Sequence, residues 1–214
     1  AAPELAGEDV VDLGIAGEIA GIGDGAPGDR QGRQPFGPAL AGTTQAYALG
    51  AGGTIQFDQA GAGSGNGRVA MLTIWDAGGE DWLSASNQTT TARIDLRPGS
   101  YSTIGPIANN IGIATAVLVG GAVINYIEHA LGGAAGDEIH GNDTLNIIRG
   151  GGGNDTIYGW AANDSLYGED GNDGISGGAE NDTVYAGAGN DLVQGDDGAD
   201  VLIGDAGLDS LYGG

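Results

Sequence analysis

Residues 132–212 read GGAAGDEIH, GNDTLNIIR, GGGGNDTIY, GWAANDSLY, GEDGNDGIS, GGAENDTVY, AGAGNDLVQ, GDDGADVLI and GDAGLDSLY, nine units of nine residues without a break in register. The sixth position of the unit is Asp in eight cases and Asn146 in the other, and the eighth position is aliphatic in all nine. Six Gly-rich residues followed by three residues with a central aliphatic predict a repeated turn and short strand. Two units then complete a flattened coil of 18 residues, with each aliphatic side chain directed inward.

Acidic side chains form two columns in this arrangement. Positions 18 residues apart lie above one another on the same edge, at the strand spacing of about 4.8 Å. Two unit charges at that distance repel by roughly 1 kcal/mol in water and by several at a lower effective dielectric. The columns contain Asp137, Asp155, Asp173, Asp191 and Asp209 on the first edge, and Asn146, Asp164, Asp182 and Asp200 on the second.

A hard cation between successive turns would convert this repulsion into binding. Ca²⁺ accepts six to eight oxygens and suits carboxylates combined with backbone carbonyls, whereas Mg²⁺ demands octahedral geometry and keeps its water. Zinc is not expected, since the chain has no Cys and only two His. Gly and Asp also form turns without metal, so a metal-free solenoid is the alternative. The glycines predicted to line calcium sites are Gly150, Gly152, Gly153, Gly168, Gly171, Gly177, Gly187, Gly189, Gly195 and Gly198.

The two edges differ at position four of the unit. The first edge has Gly there in four of five units, whereas the second edge has Thr144, Ala162, Glu180 and Gly198. Since Gly adopts positive φ at little cost, we expect tighter calcium sites on the first edge. The site between the neutral Asn146 and Asp164 is expected to be the weakest.

The nonapeptide resembles the GGxGxDxUx repeat of RTX proteins, which form calcium-binding parallel β-rolls. Three upstream stretches resemble the C-terminal region of serralysin-type metalloproteases, whose motifs read WDAGGxD, INLxPGS and TIENAIGG. They are WDAGGED at 75–81, RIDLRPGS at 93–100 and YIEHALGG at 126–133. The resemblance covers roughly residues 69–214.

This resemblance implies a second group of calcium ligands and about six to eight ions in all. It also implies export through a type I secretion apparatus and a location outside the cell. Asp76 and Asp81 could instead cap a Gly-Gly turn. The ligands implied upstream of the repeats are Asp76, Gly78, Gly79, Asp81, Tyr126 and Glu128.

The predicted fold class is all-β, a parallel β-roll packed on an upstream β-sandwich-like region. We divide the chain into an N-terminal segment or linker of unknown structure (1–44), a serralysin-like β region (45–131) and the roll (132–214). Residues 8–22 could form a short helix or an additional strand layer.

Charge and motifs exclude several function classes. The chain has 29 acidic residues against 6 basic ones, a net charge of −23, which argues against nucleic-acid or anionic-membrane partners. No apolar stretch is long enough to span a bilayer. The zinc-protease motif HExxH is absent, because His129 and His140 stand apart. We therefore expect no catalysis by this chain.

Three functions remain as hypotheses. The first is a calcium-folded extracellular module that serves secretion, folding or stability. The second is the accessory C-terminal part of a secreted zinc metalloprotease whose enzyme domain is covalently linked or separate. The third is a polysaccharide- or ice-binding module, for which Tyr167 and Tyr185 would stack on one face, although Tyr also suits a half-exposed strand. An ice-binding face would need a regular Thr or Asn array, which position seven does not provide.

Overall fold

The computed structural model describes residues 9–12, 44–49, 53–56, 71–76, 80–105, 111–113, 118–119, 122–123 and 126–214. Every regular element in these ranges is a β-strand, and none of them contains a helix long and apolar enough to cross a membrane. The upstream strands are β1 (Asp9–Asp12), β2 (Thr44–Leu49), β3 (Gly53–Gln56), β4 (Met71–Asp76), β5 (Asp81–Ser84), β6 (Arg93–Asp95), β7 (Tyr101–Ser102), β8 (Ile111–Ile113), β9 (Leu118–Val119), β10 (Ala122–Val123) and β11 (His129–Leu131). The repeat strands are β12 (Glu138–Asn142), β13 (Ile147–Gly152), β14 (Thr156–Ala161), β15 (Ser165–Asp170), β16 (Gly174–Ala179), β17 (Thr183–Ala188), β18 (Leu192–Asp197), β19 (Val201–Ala206) and β20 (Ser210–Tyr212).

Successive units alternate between two parallel sheets, which confirms the predicted β-roll. Strands β13, β15, β17 and β19 lie in an eight-stranded sheet, and β12, β14, β16, β18 and β20 lie in a six-stranded sheet. Residues 18 apart are paired, as in Ile148 with Leu166 and Ile157 with Ile175. Each coil therefore consists of two units, and each unit supplies one strand and one turn.

Upstream strands continue the same two sheets across residue 131. The eight-stranded sheet has the order β1-β3-β5-β11-β13-β15-β17-β19, and β6 pairs in parallel with β12 in the six-stranded sheet. The region expected to be sandwich-like thus extends the roll through shared sheets. It also contains a four-stranded sheet, β2-β4-β8-β7, and the antiparallel pair β9 and β10.

The core of the roll is a column of aliphatic side chains, one from each unit. Full burial of such a side chain contributes about 1.5–3 kcal/mol. Leu202 is only partly buried and Leu211, on the last coil, is 43% exposed. The fully enclosed members are Ile139, Ile148, Ile157, Leu166, Ile175, Val184 and Val193.

Candidate metal sites

From Asp155 onward, the Asp at position six of each unit ties its coil to the preceding one. Its Oδ1 accepts a hydrogen bond from the backbone N–H of the residue 18 positions earlier. Asp173 Oδ1 accepts from Asp155 N–H at 2.8 Å on the first edge, and Asp182 Oδ1 accepts from Asp164 N–H at 2.8 Å on the second. These carboxylates are buried, with Asp173 only 2% exposed. The repeat therefore fixes charged groups in two rigid columns.

The second oxygen of these carboxylates is buried and has no hydrogen-bond partner within the part of the chain that the structure describes. Burying a charged oxygen without a partner costs several kcal/mol unless a cation or proton compensates it. The six carboxylates in this state are Asp155, Asp164, Asp173, Asp182, Asp191 and Asp200.

Five of these six oxygens lie beside the glycine at position one of their own unit, so closely that a side chain there would clash with them. A Cβ built on Gly177 would meet Asp182 Oδ2 at 2.5 Å and the carbonyl oxygen of Gly195 at 2.8 Å. Equivalent pairs of a carboxylate oxygen and a next-coil carbonyl surround Gly150, Gly159, Gly168 and Gly195. Position one is Ala186 in the unit of Asp191, and its methyl group is buried there. At the other five units the lack of a Cβ lets a carboxylate oxygen and a backbone carbonyl oxygen both lie close to the glycine, and these are the two kinds of oxygen that a hard cation takes as ligands.

No group of three or more His, Cys, Asp or Glu side chains suited to a metal occurs among the described residues. Each coil edge instead contributes one carboxylate oxygen and backbone carbonyls. Such a set has no soft ligand, so it suits Ca²⁺ and excludes the usual Cys and His chemistry of zinc.

The glycines predicted to line calcium sites occupy different positions of the nine-residue unit. Gly150, Gly168, Gly177 and Gly195 are the position-one glycines just described. Gly153, Gly171 and Gly189, at position four, have positive φ, and a Cβ on Gly198 would lie 2.8 Å from Asp200 Oδ1. Gly187, at position two, also has positive φ, whereas a Cβ on Gly152 would meet nothing closer than 3.7 Å.

The first two units differ from all later ones. Asp137 accepts hydrogen bonds at both oxygens, from Ala92 N–H and Gly133 N–H, each at 2.6 Å. Asn146 Oδ1 likewise accepts from Asn142 N–H at 2.8 Å. From Gly151 onward position two has positive φ, and the second carboxylate oxygen loses this N–H partner. Among the described repeat units, buried carboxylate oxygens without a hydrogen-bond partner therefore begin at Asp155, and Asp137, a predicted ligand, has none.

Asn146 is also anchored through its amide nitrogen. Nδ2 donates to the carbonyl oxygen of Glu128 at 2.6 Å and to Asn142 Oδ1 at 3.2 Å. These hydrogen bonds fix the second edge at this coil through an uncharged side chain, where the later coils have a carboxylate. They agree with the expectation of a weak site between Asn146 and Asp164, which stays a prediction.

The expected difference in backbone cost between the edges is visible at position four. Ala162 and Glu180 on the second edge have φ of 77° and 75°, where a side chain costs free energy. On the first edge Gly153, Gly171 and Gly189 take the equivalent conformation. The relative calcium affinities of the edges stay a prediction.

A second ladder, formed by the Asn at position five, was missed by the sequence reasoning. Asn172 Oδ1 accepts from Asn190 N–H at 2.7 Å, one coil further along the chain. Asn therefore links each coil to the following one, while the neighbouring Asp links it to the preceding one. The signal was present in the sequence as five consecutive units with Asn at this position: Asn154, Asn163, Asn172, Asn181 and Asn190.

The upstream residues implied by the resemblance lie partly within the described structure. Asp81 begins β5 and is fully buried, and its backbone N–H donates to Glu128 Oε2 at 2.9 Å. Tyr126 is half-buried just before Glu128, and Asp76 ends β4. Gly78 and Gly79 lie outside the described residues. The structure thus brings Asp81 and Glu128 together, as a shared site requires.

Burial raises the pKa of four carboxylates of the columns well above the ordinary value for Asp. Desolvation is the main cause, a hydrogen bond from a backbone N–H opposes it, and repulsion between neighbouring carboxylates adds to it. The pKa rises to about 7 at Asp155 and about 8 at Asp164, and to about 6 at both Asp173 and Asp182. The cation-free roll therefore prefers protonated columns.

Without calcium, the roll should become less stable as the pH rises. Unfolded Asp loses its proton near pH 4, whereas these four folded carboxylates hold theirs to about pH 6–8. The free energy of unfolding therefore falls progressively as the pH rises from about 4 to about 8. Far-UV circular dichroism in calcium-free buffer should show more β-structure at about pH 5 than at about pH 8. With saturating calcium the trend should reverse, since calcium needs ionised carboxylates. A calcium-free roll that gains structure toward pH 8 would contradict the raised pKa values.

Comparison with known protein families shows which family this chain belongs to. Residues 58–212 match the family model described as Peptidase M10 serralysin C terminal, which is more than half of the chain. The chain belongs to the serralysin C-terminal family. The matched residues run from before β4 to the end of β20. They include the coils and the sheet-extending strands β5, β6 and β11, but not β1 and β3.

Individual relatives match only over shorter segments. Metallopeptidase AprA of Pseudomonas marginalis is 37% identical over 84 residues, which cover 39% of this chain and 16% of that protein. Serralysin of Proteus mirabilis is 38% identical over 78 residues, covering 36% and 14%, and serralysin of Photorhabdus luminescens is 35% identical over 79 residues, covering 37% and 15%. Each aligned segment therefore spans 16% or less of the relative's own length.

Proposed function

We propose that this chain is an extracellular module that binds calcium, folds with it and performs no catalysis itself. The observation that supports this most is the set of six buried carboxylate oxygens without hydrogen-bond partners. Bound Ca²⁺ would supply the positive charge that both columns lack.

The ligands would come from the chain in a repeating way. Each site would use Oδ2 of a position-six Asp between Asp155 and Asp200, together with carbonyl oxygens of the glycine turns. Asp81 and Glu128, held together at the start of the roll, would serve a further site with Asp76, Gly78, Gly79 and Tyr126. This assignment agrees with six to eight ions.

The charge of the repeats supports a role in secretion. The nine units carry 16 acidic side chains against Arg149 alone. Without cations such a segment stays expanded, because its charges repel and it has little apolar surface to bury. We infer that the chain leaves the calcium-poor cytosol unfolded, through a type I secretion apparatus, and folds in external calcium.

The names of the relatives favour a second candidate function. They are described as serralysins or metallopeptidases, and the matched family model is that of the serralysin C terminus. The module would then stabilise a secreted peptidase domain, covalently linked or separate. Any catalytic zinc would belong to that domain, since this chain has no HExxH motif.

Calcium binding is tested by replacing one column carboxylate and counting ions by isothermal titration calorimetry. Asp173→Asn keeps the Oδ1 acceptor for Asp155 N–H but removes the charged, buried second oxygen. We expect it to lose at least one calcium ion and to weaken the neighbouring sites, because Asp155 and Asp191 belong to the same column.

The matched control is Asp137→Asn, in the same column and at the same position of the unit. Both Asp137 oxygens already accept backbone hydrogen bonds, so the calcium count should not change, while the amide nitrogen of Asn, placed against one of these N–H donors, should lower Tm. An unchanged count in Asp173→Asn, or the absence of calcium binding by the unmodified chain, would refute the proposed function.

A further inference from the structure

The outer face of the six-stranded sheet is uneven. On β14, Tyr158 and Trp160 project outward and are 38% and 43% exposed. The next strand, β16, has small residues at the paired positions, with Ser176 beside Tyr158 and Gly178 beside Trp160. On β18, Gln194 and Asp196 occupy the same positions and are exposed. A trough therefore runs along β16, with walls two strand spacings apart, or roughly 10 Å.

The aromatic wall is supported from behind. His140, on β12, stacks on Tyr158 with ring centroids 4.7 Å apart and planes 12° apart. The Arg97 guanidinium lies 4.4 Å from the Trp160 ring centroid and is itself held by Asp95 at 2.7 Å. Both supports come from the side away from β16. Within the described residues no ring or cation stacks on the opposite faces of Tyr158 and Trp160, which border the trough.

Trp160 has an unfavourable backbone conformation. Its φ is 84°, and position two of the unit has positive φ in every unit from Gly151 onward, with Glu169, Asp196 and Asp205 there as well as glycines. Among the described residues, Trp160 is the largest of the six non-glycine residues with positive φ, and a bulky residue in this region is a genuine outlier. The positive φ therefore belongs to the repeat, and only the size of the side chain is peculiar to Trp160.

The floor and the far wall supply polar groups. The Ser176 hydroxyl donates to Asp196 Oδ2, which fixes that carboxylate across the trough from Trp160. Gln194 stands across from Tyr158 and offers one carbonyl oxygen and one NH₂ group. One wall is thus aromatic and the other can form hydrogen bonds.

The tyrosines on the opposite sheet lack such an open platform. Tyr167 and Tyr185 stack on each other with centroids 5.2 Å apart and planes 3° apart, as the sequence predicted. Arg149 covers the other face of Tyr167 at 4.6 Å and pairs with Glu169 at 2.8 Å. Both faces of Tyr167 are therefore occupied, and the six-stranded sheet offers the better site.

We propose that this trough binds a neutral glycan chain. The apolar C–H face of a pyranose ring stacks on the negative face of an aromatic ring, and Tyr and Trp provide such contact area at little conformational cost. Tyr158 and Trp160, two residues apart on one strand, lie about 6.6 Å from each other, so a chain along β14 can place successive sugars on them. Its hydroxyls meet Ser176, Gln194 and Asp196. The carboxylate of Asp196 and the net charge of −23 oppose an anionic glycan. This site is separate from the calcium columns and goes beyond the proposed function.

The test is isothermal titration calorimetry of the whole chain in saturating calcium, with cellohexaose as the neutral extended probe and polygalacturonate as the anionic one. We expect cellohexaose to bind and Trp160→Ala to weaken binding by about tenfold or more. Ser176→Phe, which fills the floor of the trough, should abolish binding. Tyr167→Ala on the opposite sheet should leave the affinity unchanged.

Circular dichroism and a calcium titration of each variant separate loss of this site from loss of the fold. Absence of binding by the folded, calcium-loaded chain would overturn the proposal. So would an affinity unaffected by both Trp160→Ala and Ser176→Phe, or a preference for polygalacturonate.

Discussion

Removal of calcium should unfold the repeats, and its return should refold them cooperatively. In the described part of the cation-free fold, six carboxylates have a buried oxygen without a hydrogen-bond partner. Each such charge costs several kcal/mol, whereas the two aliphatic side chains of one coil contribute about 3–6 kcal/mol together. Near neutral pH, far-UV circular dichroism should therefore show little β-structure in EGTA and a steep gain on calcium titration.

The controls distinguish calcium from general screening of charge. Magnesium at equal concentration should not restore the β-signal, because it does not fit an irregular set of carbonyl and carboxylate oxygens. Sodium chloride at matched ionic strength should have only a small effect, since buried charges are weakly screened. A chain fully folded after exhaustive chelation would mean that the columns are tolerated without metal.

Much of the roll could be predicted because its repeat encodes two regular patterns at once. The aliphatic at position eight must be buried and the Asp at position six must face a neighbouring coil, so the pairing of Ile157 with Ile175 follows from the period of nine. The upstream strands lack a repeat. Their continuation of the same sheets depends on pairings such as Leu83 with Ala130, between residues far apart in the chain, and no local pattern specifies these.

Details of the sites depend on backbone conformation, which side-chain patterns specify poorly. Asp137 and Asp155 look equivalent in the sequence, yet only Asp155 has an unpartnered oxygen. The difference accompanies the change of φ at position two between Gly133 and Gly151. The positive φ of Trp160 could not be predicted for the same reason, because this conformation is expected of glycine and not of an aromatic residue. The repeated Asn at position five was visible in the sequence. Its role depends on which backbone N–H its Oδ1 accepts from, and only the structure shows this.

Gly171→Ala should be among the most damaging single substitutions in the roll. Gly171 has φ of 146°, and an added Cβ would overlap the carbonyl oxygen of Gly153 and lie 3.1 Å from Asp173 Oδ1. Both neighbours are held by the hydrogen bonds between coils, so neither can move away alone. We expect a loss of about 3 kcal/mol or more, which lowers Tm in saturating calcium by about 10 °C or prevents the coil from forming.

Gly152→Ala provides a matched control one coil earlier. Its Cβ would meet Ala134 at 3.7 Å, an ordinary contact, and its φ is not positive. Alanine at such a position restricts the unfolded chain, so the variant should be as stable as the original or more stable by about 0.4–1 kcal/mol. Thermal melts of the two variants at the same calcium concentration should therefore shift in opposite directions or differ greatly in size. Equal shifts would show that neither the close approach of Gly171 to the preceding coil nor its positive φ governs stability, because the two substitutions add the same methyl group and differ in these two respects.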